Sequence, residues 1–299
     1  MKKVFKWLGI VLGSLVGVIL LAAIVLFLIG NARLTKHYDF EPSNLTLPTD
    51  AASIEFGKHR VETLCQGCHG ADLGGIIGWF NDPALGSIDT ANLTSGEGGI
   101  GSDFTTEDFV RAIRHGVRPT GEPLFMPAVA STAYLSDEDL AAIIAYVKTI
   151  PPVDRVTQGK NFTPLATILY AAGVLPKLPV EYVSHDVQVT APQRGATAAY
   201  GEYLVNTNDC RICHGPQLNG AKSPDPTKTW ISPNLTPGGE LSFWTEEQFI
   251  QTLRTGVTPS GHELSDEMPW KDYRNFYDEE LQAIWLYLQS LPNLPQFTN

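Results

Sequence analysis

Cysteine and methionine are both scarce in this sequence. Its 299 residues include four cysteines and three methionines, one of which is the first residue. All four cysteines lie in two short segments, CQGCHG at 65–70 and CRICHG at 210–215. Chemistry that needs a thiol is therefore confined to two nearly identical stretches of the chain.

Basic residues are also in short supply. Twenty-one Lys and Arg face 32 Asp and Glu, which gives a formal net charge of −11. Domains that bind nucleic acid carry a basic patch, so this composition argues against a DNA or RNA partner. An acidic surface instead favours a basic docking partner and an association rate that falls with salt.

The first 32 residues contain a long run without charge. Three lysines occupy positions 2, 3 and 6, and residues 7–32 carry no charged side chain. This run exceeds the roughly 20 apolar residues that span a bilayer and the apolar core of a cleaved signal peptide. We predict a retained anchor at 1–32, although the small residues at 30–32 leave cleavage open. The leading lysines place the rest of the chain on the outer, periplasmic or extracellular, face of the cytoplasmic membrane.

The remainder of the chain contains an internal repeat. TTEDFVRAIRHGVRPTGEPL at 105–124 matches TEEQFIQTLRTGVTPSGHEL at 245–264, and the tripeptide NLT occurs at 92–94 and again at 234–236. Such self-similarity indicates one domain of about a hundred residues written twice. We predict a tether at 33–50, a first copy at 51–152, a linker at 153–194 with a short helix, and a second copy at 195–299.

Each copy has the hydrophobic period of helices. Apolar residues recur at helical spacing in both repeats, and Pro151 and Pro292 follow the last helical stretch of each copy. The tracts between these stretches are rich in glycine and proline and show no strand alternation. The prediction is an all-α protein, with one transmembrane helix ahead of two domains of short helices and long loops. Loops of that length need something inside the domain to organise them.

The linker contains an apolar stretch at 163–175. It is too short to span a membrane. We expect the linker to wrap the domains or to contact the lipid surface or a partner.

The spacing of the cysteines selects among several kinds of site. A zinc ribbon needs a second cysteine pair closer than the 145 positions found here, and a thioredoxin-like pair needs a strand-helix-strand setting. A disulfide across two residues closes too small a loop to stabilise much. C-x-x-C-H is the attachment signature of c-type haem. We therefore predict two covalently bound haem c groups, attached at Cys65 and Cys68 and at Cys210 and Cys213, with His69 and His214 as axial iron ligands.

The two internal methionines match this interpretation. Met126 and Met268 occupy corresponding loops of the two copies, and each is followed by proline. One methionine per haem in matched loops favours axial ligation over packing, and histidine–methionine ligation raises a haem's reduction potential. The predicted iron ligands are thus His69 and Met126 in the first copy and His214 and Met268 in the second.

Both copies resemble cytochrome c domains. The resemblance covers nearly all of Ala51–Pro152 and Gly195–Pro295 and is most specific at the two C-x-x-C-H segments. It implies a first helix, the haem-attachment segment, loops, and a last helix that crosses the first. In this family a glycine of the first helix lets an aromatic residue of the last helix approach, and two pairs look like this one: Gly57 with Tyr146, and Gly201 with Tyr287.

The tract from NLT at 92–94 to Gly121 is similar to the cytochrome subunits of membrane quinone-linked alcohol and gluconate dehydrogenases. Those subunits typically carry three haem domains, whereas this chain has two C-x-x-C-H segments. The resemblance implies a membrane-embedded respiratory complex or dehydrogenase as partner.

Some other polar residues lack a motif. We expect the remaining histidines, among them His59, His115 and His185, to be ordinary surface or loop residues. Arg114 and Arg254 correspond between the copies. They either pair with haem propionates or are solvated helix residues.

Haem with both axial positions filled by protein has no open site for substrate, so the expected role is electron transfer and not catalysis. The expected function is a relay in a respiratory chain, from a quinol-oxidising complex or dehydrogenase to an oxidase or soluble carrier. Two alternatives remain. One is a dihaem cytochrome c peroxidase, in which one methionine leaves the iron. The other is a cytochrome subunit of a larger membrane dehydrogenase.

Overall fold

The fold is built mainly from helices. The computed structural model describes residues 2–186, 189–223 and 228–298. This confirms the predicted all-α class, with an apolar helix at the N-terminus. The helices are α1 (Lys2–Leu34), α2 (Ala51–Leu64), α3 (Gln66–His69), α4 (Thr106–Val110), α5 (Val129–Thr132), α6 (Asp137–Val147), α7 (Pro164–Ala171), α8 (Ala198–Thr207), α9 (Cys210–His214), α10 (Glu246–Thr255), α11 (Trp270–Tyr273) and α12 (Asp278–Ser290).

Helix α1 projects from the rest of the protein. Most of its side chains are exposed, and among the described residues it is the one helix long and apolar enough to cross a membrane. A signal sequence near an N-terminus has the same properties, so length and composition alone do not separate the two. The contacts of its last turns, described below, bear on this question.

The core of the first copy forms where α2 crosses α6. Asp50 and Ser136 cap the two helices with their side chains. Val61 of α2 packs in one buried cluster with Leu140 and Ile144 of α6. A methyl group added at Gly57 would overlap the backbone carbonyl of Ala142, so glycine is required for this close crossing.

The second copy repeats this arrangement with α8 and α12. Leu204 of α8 lies in a buried cluster with Leu281 and Leu288 of α12. A methyl group at Gly201 would overlap the carbonyl of Ala283. In both copies the glycine thus meets the backbone of the last helix one turn before the tyrosine that the resemblance pairs with it.

A third helix in each copy packs against the last one, and here the copies differ. Helix α10 of the second copy is a regular α-helix that begins with a capping box at Thr245. The matching stretch of the first copy begins with a capping box at Thr105 but changes into a π-helix at Arg111–His115. Both helices end at a glycine with positive φ, Gly116 and Gly256.

A small antiparallel sheet joins the first copy to the segment that follows it. Strand β1 (Phe80–Asp82) pairs with β2 (Gly86–Ile88), and β2 pairs with β3 (Lys160–Phe162). Phe80 lies opposite Ile88, and Gly86 lies opposite Phe162. This sheet was not predicted, because three-residue strands are too short to show an alternation of apolar and polar residues.

The segment 153–194 packs against both the first copy and α1. It contributes β3, helix α7 and a short 3₁₀ turn at Pro179–Glu181. Thr163 caps α7 by accepting a hydrogen bond from the amide of Ala166, and proline occupies the first position of the helix. Helix α7 packs along the C-terminal part of α1.

The two copies meet across a buried polar interface. His59 of α2 and Glu280 of α12 lie 2.6 Å apart, and His59 stacks on Tyr277. Both members of the pair are almost fully buried. Burial alone would raise the pKa of Glu280, but the hydrogen bond and charge of His59 together with the charge of Arg60 lower it. The prediction that His59 is an ordinary surface or loop residue is wrong.

Three further side chains belong to this interface. The Arg60 guanidinium lies 3.6 Å from the Asp139 carboxylate, and the Tyr203 hydroxyl of the second copy donates to that carboxylate at 2.8 Å. All three side chains are buried. Buried charges are tolerated when they are paired and hydrogen-bonded. This network therefore defines the orientation in which the two copies pack against each other.

Candidate functional site

Each C-x-x-C-H segment folds as a short helix directly after the first helix of its copy. The segment of the first copy includes α3, and that of the second copy is α9. Each ends at a glycine with positive φ, Gly70 at 81° and Gly215 at 79°. In the second copy both cysteines and the histidine lie within α9, whereas in the first copy Cys68 and His69 lie in α3 and Cys65 is the residue just before it.

The two histidines are oriented in the same way. The Nδ1 atom of His69 lies 2.8 Å from the carbonyl oxygen of Ala91, and that of His214 lies 2.9 Å from the carbonyl oxygen of Pro233. A donor bond from Nδ1 leaves Nε2 as the free nitrogen, the arrangement expected of an imidazole that binds a metal. Burial lowers the pKa of both histidines, which favours the neutral form that acts as a ligand.

The NLT tripeptides hold these carbonyl groups in place. Asn92 follows Ala91, and its side-chain amide donates to the carbonyl of Val153 at 2.7 Å. Asn234 follows Pro233 and donates to the carbonyl of Leu294 at the same distance. The asparagine thus ties the loop that orients the histidine to the segment after the last helix. The repeat of NLT was visible in the sequence, but this positioning role was not.

All four cysteines are free thiols with partly buried side chains. Burial raises the pKa of Cys65 and Cys210 to about 12, so neither is a thiolate at neutral pH. A redox-active dithiol or a zinc-binding thiolate needs the opposite shift. Within the described ranges, no three His, Cys, Asp or Glu side chains lie close enough to hold a metal ion together. These properties fit thiols that bond to an organic group better than they fit a zinc or disulfide site.

Met126 and Met268 lie in matching loops. Each loop follows an isolated bridge, Val117 with Pro123 and Val257 with Glu263. Met126 is half-buried against a small apolar cluster, and Met268 is half-buried at the edge of the core of the second copy. A short helix follows each methionine, α5 in the first copy and α11 in the second.

Those short helices bring the two candidate sites together. The Ser131 hydroxyl of α5 accepts a hydrogen bond at 3.2 Å from the amide of Asp209, the residue before Cys210. Reciprocally, the Asp272 carboxylate of α11 lies against Gly67, between the two cysteines of the first copy. The short helix that follows each methionine therefore contacts the other copy at or next to its cysteine segment.

Asp209 has no counterpart in the first copy. Cys210 lies nine positions after Gly201, whereas Cys65 lies eight positions after Gly57. Asp209 takes up the extra residue in a left-handed conformation with φ of 60°. Burial raises the pKa of its carboxyl group to about 6. This carboxyl group lies near the cysteines of both copies, since it contributes to the pKa shifts of Cys68 and Cys213.

The two matched arginines have protein partners. Arg114 binds the Asp137 carboxylate at 2.7 Å and the Leu135 carbonyl at 2.9 Å. Arg254 binds the Asp278 carboxylate at 2.6 Å and the carbonyl of Arg274. Both arginines therefore hold the start of the last helix of their copy.

His115 also departs from its prediction as a surface or loop residue. It is buried and stacks on Phe40, and its Nδ1 atom lies 3.0 Å from Nδ1 of His185. The π-helix at Arg111–His115 accounts for this, because the matching residue of α10, Thr255, lies exposed.

Comparison with known proteins gives one family. The model for the family described as cytochrome c oxidase, cbb3-type, subunit III matches residues 52–147 and 196–288. The two matched ranges include the helices that form each core and both C-x-x-C-H segments.

Individual relatives cover most of the chain. It is 29% identical over 274 residues to the fructose dehydrogenase cytochrome subunit of Gluconobacter japonicus, and this alignment covers 83% of this chain and 55% of that protein. It is 27% identical over 279 residues to the cytochrome c subunit of the quinone alcohol dehydrogenase of Gluconobacter oxydans, covering 84% of this chain and 57% of that subunit. The chain thus spans little more than half the length of these subunits.

A protein named diheme cytochrome c-type from Cereibacter sphaeroides is nearer in length. The identity is 28% over 214 residues, which cover 65% of this chain and 68% of that protein.

Proposed function

The chain belongs to the cytochrome c family described by subunit III of cbb3-type cytochrome c oxidase, whose members carry covalently bound haem c, and we propose that it is a membrane-anchored dihaem relay for single electrons. One haem would be bonded to Cys65 and Cys68, with His69 and Met126 as iron ligands. The other would be bonded to Cys210 and Cys213, with His214 and Met268 as iron ligands.

The domain organisation is part of the same proposal. An anchor at 1–32 and a tether at 33–50 would lead to a first haem domain at 51–152. A linker at 153–194 would connect it to a second haem domain at 195–299. The family match falls separately within each proposed haem domain.

The residues present suit haem c in both copies. Free thiols lie beside an imidazole whose Nε2 is left available by the hydrogen bonds to Ala91 and Pro233. The bound haem would supply reversible one-electron chemistry. The protein would hold the haem and set its reduction potential through the methionine ligand.

The observation that carries the relay function is the reciprocal contact between the two sites. Ser131 reaches the residue before Cys210, and Asp272 reaches the residue between Cys65 and Cys68. The two attachment segments therefore lie at the same interface between the copies. Two independent domains joined by a flexible linker would not need such an interface. A fixed, short separation of two haem groups is what a one-electron relay needs.

Contacts at the end of α1 support a retained anchor. Arg33 forms a two-pronged ion pair with Glu181, and Leu34 is buried against the 3₁₀ turn and α7. Gly30 lies against the backbone of Thr167. Cleavage after Ala32 would remove the Gly30 contact. We propose a single-pass protein whose haem domains lie on the outer face of the cytoplasmic membrane.

The proposed electron donor is a membrane dehydrogenase or a quinol-oxidising complex, and the acceptor an oxidase or soluble carrier. The relatives named as cytochrome subunits of fructose and quinone alcohol dehydrogenases support a dehydrogenase as donor. The net charge of −11 supports a basic partner on at least one side.

Carbon monoxide binding to the reduced protein tests this proposal against peroxidase chemistry. Two haem groups with histidine and methionine ligands leave no position open, so we expect the ferrous absorption spectrum to stay unchanged under carbon monoxide without denaturant. Denaturant should then permit the shift, as a positive control. A shift in the native protein would indicate an open iron and would contradict the relay.

A further inference from the structure

Resting on the proposed role of α1 as a transmembrane anchor, we propose that α7 and the turn after it form a second membrane-contact element, inserted among the lipids of the outer leaflet. The occupant of its exposed apolar face would be lipid, not another protein. The two elements together would fix the orientation of the haem domains on the membrane surface.

Contacts between α7 and α1 set the depth of this element. Helix α7 packs against α1, with Thr167 against Gly30. The half-buried or buried residues of α1 recur at helical spacing along one face, at Ala23, Leu26, Phe27, Gly30, Arg33 and Leu34. Ala23 lies ten residues before Arg33, the first charge after the apolar run, so this covered face extends about 15 Å along α1 at a rise of 1.5 Å per residue. That is roughly half the thickness of a bilayer's hydrocarbon core.

The side chains on the outer face of α7 are apolar, as a position within the hydrocarbon layer of the membrane requires. Residues 163–175 carry no charge. Leu165 is 46% exposed and Val174 is 54% exposed, on surfaces that no described residue covers. Buried Thr167 and Tyr170 face α1 instead, so two polar side chains of this segment are covered while Leu165 and Val174 are exposed.

The backbone of α7 suits lipid as well. Thr163 accepts from the amide of Ala166 at the start of the helix. At its end, the amides of Gly173 and Val174 donate to the carbonyls of Tyr170 and Leu169. Non-spanning backbone can lie at membrane depth only when such groups are satisfied within the protein.

Polar groups lie along the edge of this apolar surface that is nearer to the haem domains. The Arg33 guanidinium, Glu181 carboxylate and Tyr170 hydroxyl form one cluster, in which the tyrosine donates to the glutamate at 2.7 Å. Lys36 lies over the ring of Tyr38, and Lys177 is exposed just after the apolar stretch. Cationic and aromatic residues at this level are typical of the lipid headgroup region.

Site-specific photo-crosslinking in native membranes tests the proposal. The photoreactive residue p-benzoylphenylalanine would replace one exposed apolar residue at a time in the full-length haem-loaded chain, at Leu165, Val174, Leu20 or Phe243. Leu20 lies in α1. Phe243 is 87% exposed in the second copy and controls for any apolar surface residue. Unchanged haem absorbance would confirm that each variant is folded.

We expect Leu165 and Val174 to give lipid adducts at a yield similar to Leu20 and several-fold above Phe243. Protein adducts at Leu165 and Val174, or yields no higher than at Phe243, would overturn the proposal for α7 while lipid adducts at Leu20 left the anchor intact. Absence of lipid adducts at Leu20 would instead overturn the anchor.

Discussion

Individual residues at each haem site have separable roles. The cysteines would anchor the haem, the histidine is oriented by a backbone carbonyl, and that carbonyl is followed by an asparagine that holds its loop in place. The asparagine lies 23 positions after His69 in the first copy and 20 positions after His214 in the second. The methionine is the residue whose role depends most on the proposal, because its loop position and burial are consistent with both ligation and packing.

Replacing a methionine by histidine tests its role. We expect Met126→His to keep both haem groups and to lower one reduction potential, because imidazole stabilises ferrous iron less than thioether does. A spectroscopic redox titration measures both potentials at once. Met268→His is the matched control and should shift the other potential. Two unchanged potentials in Met126→His would remove Met126 from the ligands.

His115 gives a pH dependence of a definite sign. Burial, followed by the positive charges of His185, Arg114 and Arg111, lowers its pKa to about 4, and Asp186 opposes the shift weakly. The unfolded chain therefore binds a proton more tightly than the native protein. This contribution to stability is full above about pH 6.5 and is lost as the pH falls towards 4.

We expect His115→Thr, which installs the residue found in the second copy, to reduce the loss of unfolding free energy between pH 6.5 and 4 by on the order of 1–3 kcal/mol. Denaturant titrations at a series of pH values measure it. His262→Thr, at an exposed loop position, is the control and should leave the slope as in the parent. An equal slope in His115→Thr would refute the assignment.

At the scale of elements, the helix crossings were accessible from the sequence and the sheet was not. Caps such as Ser136 and Thr245, together with the hydrophobic period, mark helices locally. Strands of three residues carry no such signal, and β3 comes from beyond the first copy. The π-helix that turns His115 inward was also unpredictable, because its sequence matches that of the regular helix α10 so closely.

The glycine at each crossing is a test of the packing. We expect Gly57→Ala to destabilise the protein by about 1–3 kcal/mol, because the added methyl group overlaps the Ala142 carbonyl and forces α2 from α6. Gly201→Ala should act similarly in the second copy. Thermal or chemical unfolding measures both. Gly13→Ala, whose methyl group would meet nothing within 4 Å, is the control. Equal stability of all three variants would show that the crossings are looser than described.

At the scale of the whole molecule, the two copies act as one unit through their polar interface. No motif in the sequence indicates that His59 and Glu280, 221 positions apart, form a pair. Such contacts depend on how two folded domains are placed against each other, and the repeat pattern contains no information on that placement. The sequence did identify the cofactor chemistry, since that chemistry lies in short local motifs.

Breaking the buried pair should uncouple the copies. We expect Glu280→Leu to lower the free energy of unfolding by about 3–5 kcal/mol, because it leaves His59 buried without its partner. The double variant His59→Leu with Glu280→Leu should lower it less, because neither charge is then left buried alone. Chemical unfolding followed by haem absorbance and by circular dichroism measures the cost and its cooperativity. Lys58→Ala removes a neighbouring exposed ion pair with Glu55 and should change the free energy of unfolding far less, because solvent screens such a pair. A cost for Glu280→Leu no larger than that of Lys58→Ala would contradict a stabilising interface.

The number of covalently attached haem groups tests the account most directly. Intact mass spectrometry of the purified mature chain, under denaturing conditions that remove anything not covalently bound, counts them. We expect a mass above that of the polypeptide by two haem groups, and by one when Cys210 and Cys213 are both replaced by alanine. A parent protein with one haem or none would contradict it.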